Sequence, residues 1–284
     1  MDGKQNDLNA NVIKDFGSEW SRFDQSILSA ADQAEMFKGY FNIFPWHKLT
    51  SNSIGADIGC GSGRWASLVA PRVGHLYLID PSKEALAVAQ NNLSNLKNIS
   101  FYQVPADGLP FKAESLDFAY SLGVLHHVSN TPEAIVSIAR VLKPGAPFLI
   151  YLYYALDQQP LWFRVIWRLS SIFRKLISRM PNRLKNFVCD GIASLIYFPL
   201  ARAALLLDWF GILPCSWPLA YYRRRSYYVM RTDALDRFGT RLEKRFSRAE
   251  ITAMLVSAGF TDIRFSDTQP FWCAVGIKRA CGET

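Results

Sequence analysis

Short apolar runs alternate with amphipathic stretches through most of the chain. Apolar runs of about 4–8 residues are typical of buried strands, and apolar residues at steps of three and four are typical of helices. The runs predict strands over 53–58, 75–79, 99–104, 116–122, 148–154, 261–266 and 271–278, with helices between them over 64–70, 82–93 and 131–142. This alternation predicts an α/β fold built on a largely parallel sheet.

Single residues place the starts of three of these helices. Ser82 precedes the helix of 82–93 and is the residue type that caps helix N-termini. Thr131 followed by Pro132 predicts an N-cap and a first helical position. Ser247 with Glu250 three residues later predicts a capping box and a further helix near the end of the chain.

The N-terminal part of the chain follows a different pattern. Residues 1–15 are polar and are expected to be frayed. A helical stretch rich in aromatic residues is expected from Phe16 to about Phe44, where Pro45 breaks it.

The stretch 155–242 interrupts the strand–helix alternation with predicted helices alone. Pro160 and Pro181 bound an amphipathic helix whose apolar positions recur at helical spacing, with a basic stripe expected opposite them. A second apolar stretch over 187–213 is expected to bend at Pro199. The apolar positions of the first helix are Trp162, Val165, Ile166, Leu169, Ile172, Phe173, Leu176 and Met180, and its basic positions are Arg164, Arg168, Lys175 and Arg179.

The excess positive charge belongs to this same stretch. The chain of 284 residues carries 32 Lys and Arg and 24 Asp and Glu, a net charge of +8. Residues 155–230 hold eleven of the bases and three of the acids, so they account for all eight charges. The five cysteines show no C-x-x-C pair and no histidine spacing, so we expect reduced thiols and no metal site. Because no run of 18 or more uncharged apolar residues is present, no membrane-spanning helix is expected.

A glycine-rich turn follows the first predicted strand. Gly59, Gly61 and Gly63 allow a sharp turn and let backbone N–H groups approach a ligand at a helix N-terminus. Asp80 ends the next strand, 17 residues after Gly63, where an acidic residue binds ribose hydroxyls in nucleotide sites. The G-x-G-x-G spacing differs from the dinucleotide pattern G-x-G-x-x-G.

Four blocks in order, ADIGCGSGRW, LYLIDPS, PADGLPFKAESLDFAYSLGVLHHV and ARVLKPGAPFLIYLY, resemble the class I S-adenosylmethionine-dependent methyltransferases. The resemblance covers about residues 50–153 closely and 246–279 more loosely. It implies a Rossmann-like sheet of seven strands whose last strand is antiparallel, sandwiched by helices, with a large helical cap inserted after the fifth strand. It also implies S-adenosylmethionine as the cofactor.

The resemblance assigns further residues to the cofactor. An acid at the position of Asp107 accepts a hydrogen bond from the adenine amino group in the family, and its neighbours Ala106 and Gly108 flank the ring. Asp57, at the end of the first strand, either orients the glycine turn or meets the amino group of the donor. In the same family, segments before the first strand help to close the pocket, so Trp20, Phe23 and Tyr40 either line it or pack on the core.

Candidate catalytic groups follow the fourth strand. Ligands bind beyond the carboxyl ends of strands in open α/β sheets, so Ser121 and the residues up to His127 are expected to border the methyl donor. His127 is a candidate general base because imidazole titrates near neutral pH, and His126 and Tyr40 are weaker candidates. Alternatively, methyl transfer needs only in-line positioning of the acceptor, and the histidines are structural.

Three interpretations of the insert remain open. It is a cap that shapes the acceptor pocket, or a cap that also makes peripheral contact with an anionic membrane. The third is a nucleic-acid surface around Arg223–Arg225, which the absence of base-methyltransferase motifs such as N/D-P-P-Y disfavours. The sequence carries no feature that sets an oligomeric state.

We therefore expect an enzyme that methylates a small-molecule or lipid-like acceptor, either in the cytoplasm or at the membrane surface. The alternatives are a nucleic-acid methyltransferase and a non-catalytic cofactor-binding module. The predicted division is an N-terminal lid over 1–48, a cofactor-binding core over 49–154, an insert over 155–242 and the end of the sheet over 243–284.

Overall fold

Seven of the predicted apolar runs form the strands of one sheet in the computed structural model. The strand order is β3-β2-β1-β4-β5-β7-β6, and β7 runs antiparallel to both of its neighbours while the β3 to β5 pairings are parallel. This topology confirms the predicted fold class. The strands are β1 (Ile54–Ile58), β2 (His75–Ile79), β3 (Ile99–Tyr102), β4 (Phe118–Leu122), β5 (Pro147–Tyr151), β6 (Phe260–Phe265) and β7 (Cys273–Lys278).

The structure describes the backbone of residues 2–155, 161–214, 217–268, 270 and 272–280, and the side chains of these residues apart from 2–9 and 161–163. The predicted apolar position Trp162 therefore has a described backbone only. The α-helices are α1 (Asp2–Arg22), α2 (Ala30–Tyr40), α3 (Ala66–Val69), α4 (Lys83–Asn92), α5 (Thr131–Val141), α6 (Leu161–Ile177), α7 (Asn182–Ile192), α8 (Phe198–Trp209), α9 (Tyr227–Gly239) and α10 (Arg248–Ser257).

The N-terminal helix begins earlier than the sequence indicated. Residues 2–15, expected to be frayed, form the first turns of α1, which ends at Arg22. The single helical stretch expected up to Phe44 is two helices, because α2 begins only at Ala30 and ends at Tyr40, before Pro45. The polar composition of this segment concealed an apolar side on α1.

Two of the three predicted helix caps are confirmed. The Ser82 side chain accepts a hydrogen bond from the backbone N–H of Ala85, and Ser247 forms a complete capping box with Glu250. The third cap was placed one residue too late, since Asn130 caps α5 by accepting from the backbone N–H of Glu133. The hydroxyl of Thr131, the predicted cap, instead donates to the backbone oxygen of Leu125 at 2.7 Å.

The sheet separates two apolar cores. Alternate residues of a strand point to opposite faces, and β5 shows this directly: Phe148 and Ile150 belong to one cluster and Leu149 to the other. The first cluster includes residues of α5 and α10, and the second includes residues of α2, α3 and α4. Burial on both faces explains why the strands read as continuous apolar runs.

The chain divides into two compact units. The core unit comprises Met1–Asp24, Gln33–Asp157 and Leu242–Thr284, and the insert unit comprises Gln25–Asp32 and Gln158–Arg241. The insert unit therefore includes a short segment from before the first strand. The predicted four-part division stays a prediction.

Helices α7 and α8 form one continuous rod. A π-helical turn over Ala193–Tyr197 joins them, and Pro199 lies in the first turn of α8. A proline lacks the N–H that would bond to the carbonyl four residues earlier in an α-helix. A wider π-helical turn before the proline is one way to accommodate that loss. In the insert, α6 ends at Ile177, before Pro181, which caps α7.

This rod bears on the expectation that the chain has no membrane-spanning helix. Asn182–Trp209 is 28 residues long and, by length and composition alone, is apolar enough to cross a membrane. Only 22% of its most apolar window is buried inside the protein. The expectation counted strictly uncharged runs and so overlooked a stretch with isolated charges.

Candidate functional site

The glycine turn after β1 requires glycine at the positions singled out in the sequence. Gly59 has φ +77° and Gly61 has φ +52°, backbone conformations that side chains disfavour. A Cβ on Gly59 would lie 2.4 Å from Val124, and one on Gly61 would lie 2.7 Å from the Trp20 ring. Any other residue at these two positions would therefore clash with the packed side chain of Val124 or Trp20.

Asp80 fastens this turn from the end of β2. One of its carboxylate oxygens accepts a hydrogen bond from the Gly61 N–H at 3.0 Å, and the other accepts from the Ser82 N–H at 2.9 Å. Burial raises the pKa of Asp80 to about 6, against the lowering effect of these two hydrogen bonds. Each oxygen retains a second lone pair, so the carboxylate can still accept from a ligand hydroxyl.

A cavity of about 1140 Å³, including its open mouth, lies over the turn within the core unit. Five of the predicted site residues line it, namely Gly59, Asp80, Ala106, Asp107 and His127. Helix α1 contributes Val12, Ile13, Phe16 and Trp20 to the same wall.

Three predicted cofactor residues lie beside the cavity without lining it. Gly61 and Gly63 belong to the turn itself, and a Cβ on Gly63 would lie 2.6 Å from Leu93. Gly108 is exposed and is also absent from the lining. These residues shape the backbone around the cavity.

Asp57 is held inside the sheet. It is buried, and Tyr120 donates a hydrogen bond to its carboxylate at 3.0 Å. Burial raises the pKa of Asp57 to about 8 in spite of that hydrogen bond. Asp57 does not line the cavity, and its described hydrogen-bond partner is Tyr120. Its predicted role toward the turn or the donor stays a prediction.

Ser121 likewise serves the sheet. Its buried hydroxyl donates to the backbone oxygen of Ile58 at 2.9 Å and ties β4 to β1. It does not line the cavity. The topological rule was right for the residues that follow β4, because Gly123, Val124 and His127 do line it.

His127 combines a cavity position with a defined tautomer. Its Nδ1 lies 2.6 Å from the backbone oxygen of Leu242. A carbonyl oxygen only accepts, so Nδ1 carries the proton and Nε2 of the neutral ring carries the lone pair. The ring also meets the edge of Phe16 at a centroid distance of 4.8 Å.

The other two catalytic candidates lie outside the cavity lining. His126 is fully buried, stacks on Tyr153 at 3.9 Å, and has no hydrogen-bond partner for either ring nitrogen among the described residues. Burial lowers the pKa of His126 well below its usual value, so it stays neutral. Tyr40 packs against Trp65 and Tyr151 instead.

The cavity wall includes residues that sequence reasoning missed. Ser62 lines it, and its buried hydroxyl has no hydrogen-bond partner within the described part of the chain. The spacing of Val12, Phe16 and Trp20 at steps of four was a readable helical signal. Of the aromatic residues considered, Trp20 lines the cavity and Phe23 does not.

These groups fit an adenosine-type cofactor with a polar tail. Asp80 supplies a hydroxyl acceptor, and Gly59 lines the cavity with its backbone. An unsatisfied buried hydroxyl costs about 1–3 kcal/mol, so the Ser62 Oγ is a position where a polar ligand atom is favoured. Within the ranges that the structure describes, no cluster of His, Cys, Asp or Glu is arranged to hold a metal ion.

Comparison with known proteins finds a family match for part of the chain. Residues 56–150 match the family described as "Methyltransferase domain". The chain is 35% identical over 101 residues to the uncharacterized methyltransferase YcgJ of Bacillus subtilis (strain 168), covering 35% of this chain and 40% of that protein. It is 27% identical over 204 residues to the demethylmenaquinone methyltransferase of Tropheryma whipplei (strain Twist), covering 67% and 82%.

A solved structure shares the fold over a longer stretch. The crystal structure of the Bacillus subtilis YcgJ protein superposes with a TM-score of 0.50 at 17% identity, covering 89% of this chain and all of that one. By sequence, the match spans only about two fifths of the curated YcgJ protein. At this identity the likeness shows a shared fold and no more.

Proposed function

We propose that the protein transfers a methyl group from S-adenosylmethionine to a small-molecule or lipid-like acceptor, since residues 56–150 match a methyltransferase domain. The observation that carries the proposal is the single cavity in which Gly59, Asp80 and Asp107 lie together with His127. Cofactor-binding groups and a basic nitrogen share one enclosure.

In this proposal Asp80 accepts from the ribose hydroxyls, and Asp107 beside Ala106 accepts from the adenine amino group. Gly59 presents its backbone to the cavity, and Ser62 offers its buried hydroxyl to the polar tail. When bound, S-adenosylmethionine supplies an electrophilic methyl group on a sulfonium. The protein then has to position the acceptor and remove its proton.

His127 is the residue proposed to remove that proton. Its Nδ1–H donates to the Leu242 carbonyl, which fixes the ring and leaves the Nε2 lone pair as the basic site. A backbone carbonyl that orients the ring in this way also stabilises the imidazolium formed when the proton arrives. The proposal assigns no such role to His126 or Tyr40.

The wall formed by α1 supports the proposed acceptor class. Val12, Ile13 and Phe16 give the cavity an apolar side, which favours an acceptor with a hydrophobic or aromatic body. The T. whipplei relative, matched over 82% of its length, is named for a quinone of that kind. We therefore propose a quinone-like or lipid-linked acceptor.

The test is a donor titration followed by a turnover assay. Calorimetry should show S-adenosylmethionine binding and no binding of NAD, which serves as the control nucleotide. Methyl transfer should then be detectable with demethylmenaquinone, reduced to its quinol, or with another hydrophobic phenol. Donor binding without turnover on any acceptor would favour a non-catalytic module, and no donor binding would reject the proposal.

A further inference from the structure

The apolar side of α6 faces solvent. Val165, Ile166, Leu169, Ile172, Phe173 and Leu176, which we call the α6 outer face, are between 53% and 61% exposed. These positions lie at steps of one, three and four, so they form a single stripe on the helix. A helix on the surface of a globular protein normally buries such a stripe.

The opposite, polar side of α6 is the buried one. The Arg174 guanidinium donates to the backbone oxygen of Thr240 at 3.0 Å, and Arg237 of α9 donates to the Ser170 hydroxyl at 3.3 Å. Arg237 also lies over the Trp167 ring, 5.2 Å from its centroid. These contacts hold the helix so that its apolar stripe points outward.

The rod of α7 and α8 repeats this arrangement. Its inner side carries the small residues Ala193 and Ala201, which join Met230 and Ala234 of α9 in one buried cluster. Its outer side is apolar and exposed, with Phe187, Leu195 and Trp209 at 76–81%. We call Leu184, Phe187, Leu195, Ile196, Phe198, Leu206 and Trp209 the α7–α8 outer face.

Unengaged cations accompany the α6 outer face. Arg168, Lys175, Arg179 and Arg183 are exposed, and none forms an ion pair among the residues that the structure describes. At about 100° per residue, Arg168 and Lys175 border the apolar stripe on one side and do not oppose it as expected from the sequence, and Arg179 follows the end of the helix. Other bases of the insert are engaged internally, as with Arg223 and Asp208 at 3.1 Å.

We propose that the two outer faces form a docking surface for an anionic phospholipid bilayer. A helix with an apolar face and bordering Lys and Arg lies in the plane of the interface, with its side chains buried at the level of the headgroups. The long basic side chains extend to the lipid phosphates while their stems cover apolar surface. The proposal concerns the insert unit and does not depend on the methyl-transfer assignment.

The rod lies on the bilayer and does not cross it. Its inner side forms ion pairs: Arg231 of α9 donates from Nε and Nη2 to the two carboxylate oxygens of Asp190, each at 3.0 Å. Near the other end, Asp208 pairs with Arg224 at 3.0 Å. Crossing the bilayer would place these charges in hydrocarbon, at a cost of about 2.5–3.5 kcal/mol each on insertion scales.

The test is flotation of the full-length protein with vesicles of phosphatidylcholine alone or mixed with phosphatidylglycerol. We expect binding to the mixed vesicles and release by high salt or alkaline wash. The double variant Leu169→Glu, Phe173→Glu should abolish flotation, since both side chains are exposed and the core is untouched. Arg168→Gln and Lys175→Gln should each weaken binding about 5-fold, the effect of one cation at an anionic surface.

Matched controls place the same change on the core unit. Val136→Glu and Val256→Glu alter side chains that are 53% and 48% exposed, and both variants should float as the wild type does. The proposal fails if no vesicle binds, or if the Leu169→Glu, Phe173→Glu protein floats normally. It also fails if the wild type forms a dimer that this double variant dissociates, because a second copy then covers the surface, or if alkaline wash leaves the protein in the vesicles.

Discussion

Helices α1 and α6 carry the same kind of apolar periodicity and use it in opposite ways. In α1, Val12, Phe16 and Trp20 line the cavity of the core unit. In α6, Leu169 and Phe173 face solvent while polar residues are buried. A hydrophobic stripe therefore tells where a helix avoids water, and the neighbouring elements decide whether protein or another medium covers it.

The largest expected effect tests whether the cavity lined by α1 is a catalytic site. His127→Ala should lower kcat about 100-fold if the ring accepts a proton. His127→Asn retains an N–H donor for the Leu242 carbonyl but has no basic nitrogen. Single-turnover rates across pH would measure both variants. A full rate in the Asn variant would make His127 a structural residue.

A somewhat smaller effect is expected at Asp80. Asp80→Asn should weaken S-adenosylmethionine binding by about 1–3 kcal/mol, the range for a charged hydrogen bond at a buried site. The variant should leave vesicle flotation unchanged, which separates the two regions. Equal donor affinity in variant and wild type would contradict the assignment.

The pKa of Asp80 adds a pH signature to the same measurement. Burial raises this pKa to about 6, so the carboxyl binds a proton as the pH falls through that value. The ionised carboxylate accepts a hydrogen bond from a ribose hydroxyl. The affinity for S-adenosylmethionine should therefore fall about tenfold per pH unit below 6 and stay level above about pH 7. Calorimetric titrations from pH 5 to pH 8 would show this slope, and Asp80→Asn should flatten it.

The smallest effects sharpen the comparison of the two helices directly. Phe16→Ala should lower the free energy of unfolding by about 1–3 kcal/mol, because this ring packs on His127 in the cavity wall. Phe173→Ala removes the same atoms from a side chain that is 61% exposed and should change it by less than about 0.5 kcal/mol. Urea unfolding of both proteins would decide, and equal losses would show that α6 is packed.

Much of the fold could be predicted because its signals are local. Strands of a doubly covered sheet are apolar runs, and their ends came within about three residues of those observed. Ser82 and Ser247 act within one turn of helix and could be read in the same way. Asn130 was overlooked because Thr131 has the same capping chemistry and makes a tertiary bond instead.

The site was predictable where its residues follow the carboxyl ends of the strands. The glycine turn and Asp80 lie on neighbouring strands in a spacing that the fold dictates, and the structure joins them by a hydrogen bond. The lining by α1 depends on a contact between distant parts of the chain, so Val12, Ile13 and Phe16 were left unassigned and Trp20 was given two alternative roles. The outward direction of the α6 stripe depends on Arg174 and Arg237, which periodicity cannot show.

The hydrogen bonds between Asp80 and the glycine turn have a consequence for the affinity of the site. With both carboxylate oxygens already bonded to backbone N–H groups, the loop holds its final curvature before any guest arrives. A nucleoside therefore binds to a preorganised loop, and little binding free energy is lost in ordering the chain. In the proposed function, acceptor specificity therefore depends on α1, the N-terminal helix that lines another part of the cavity.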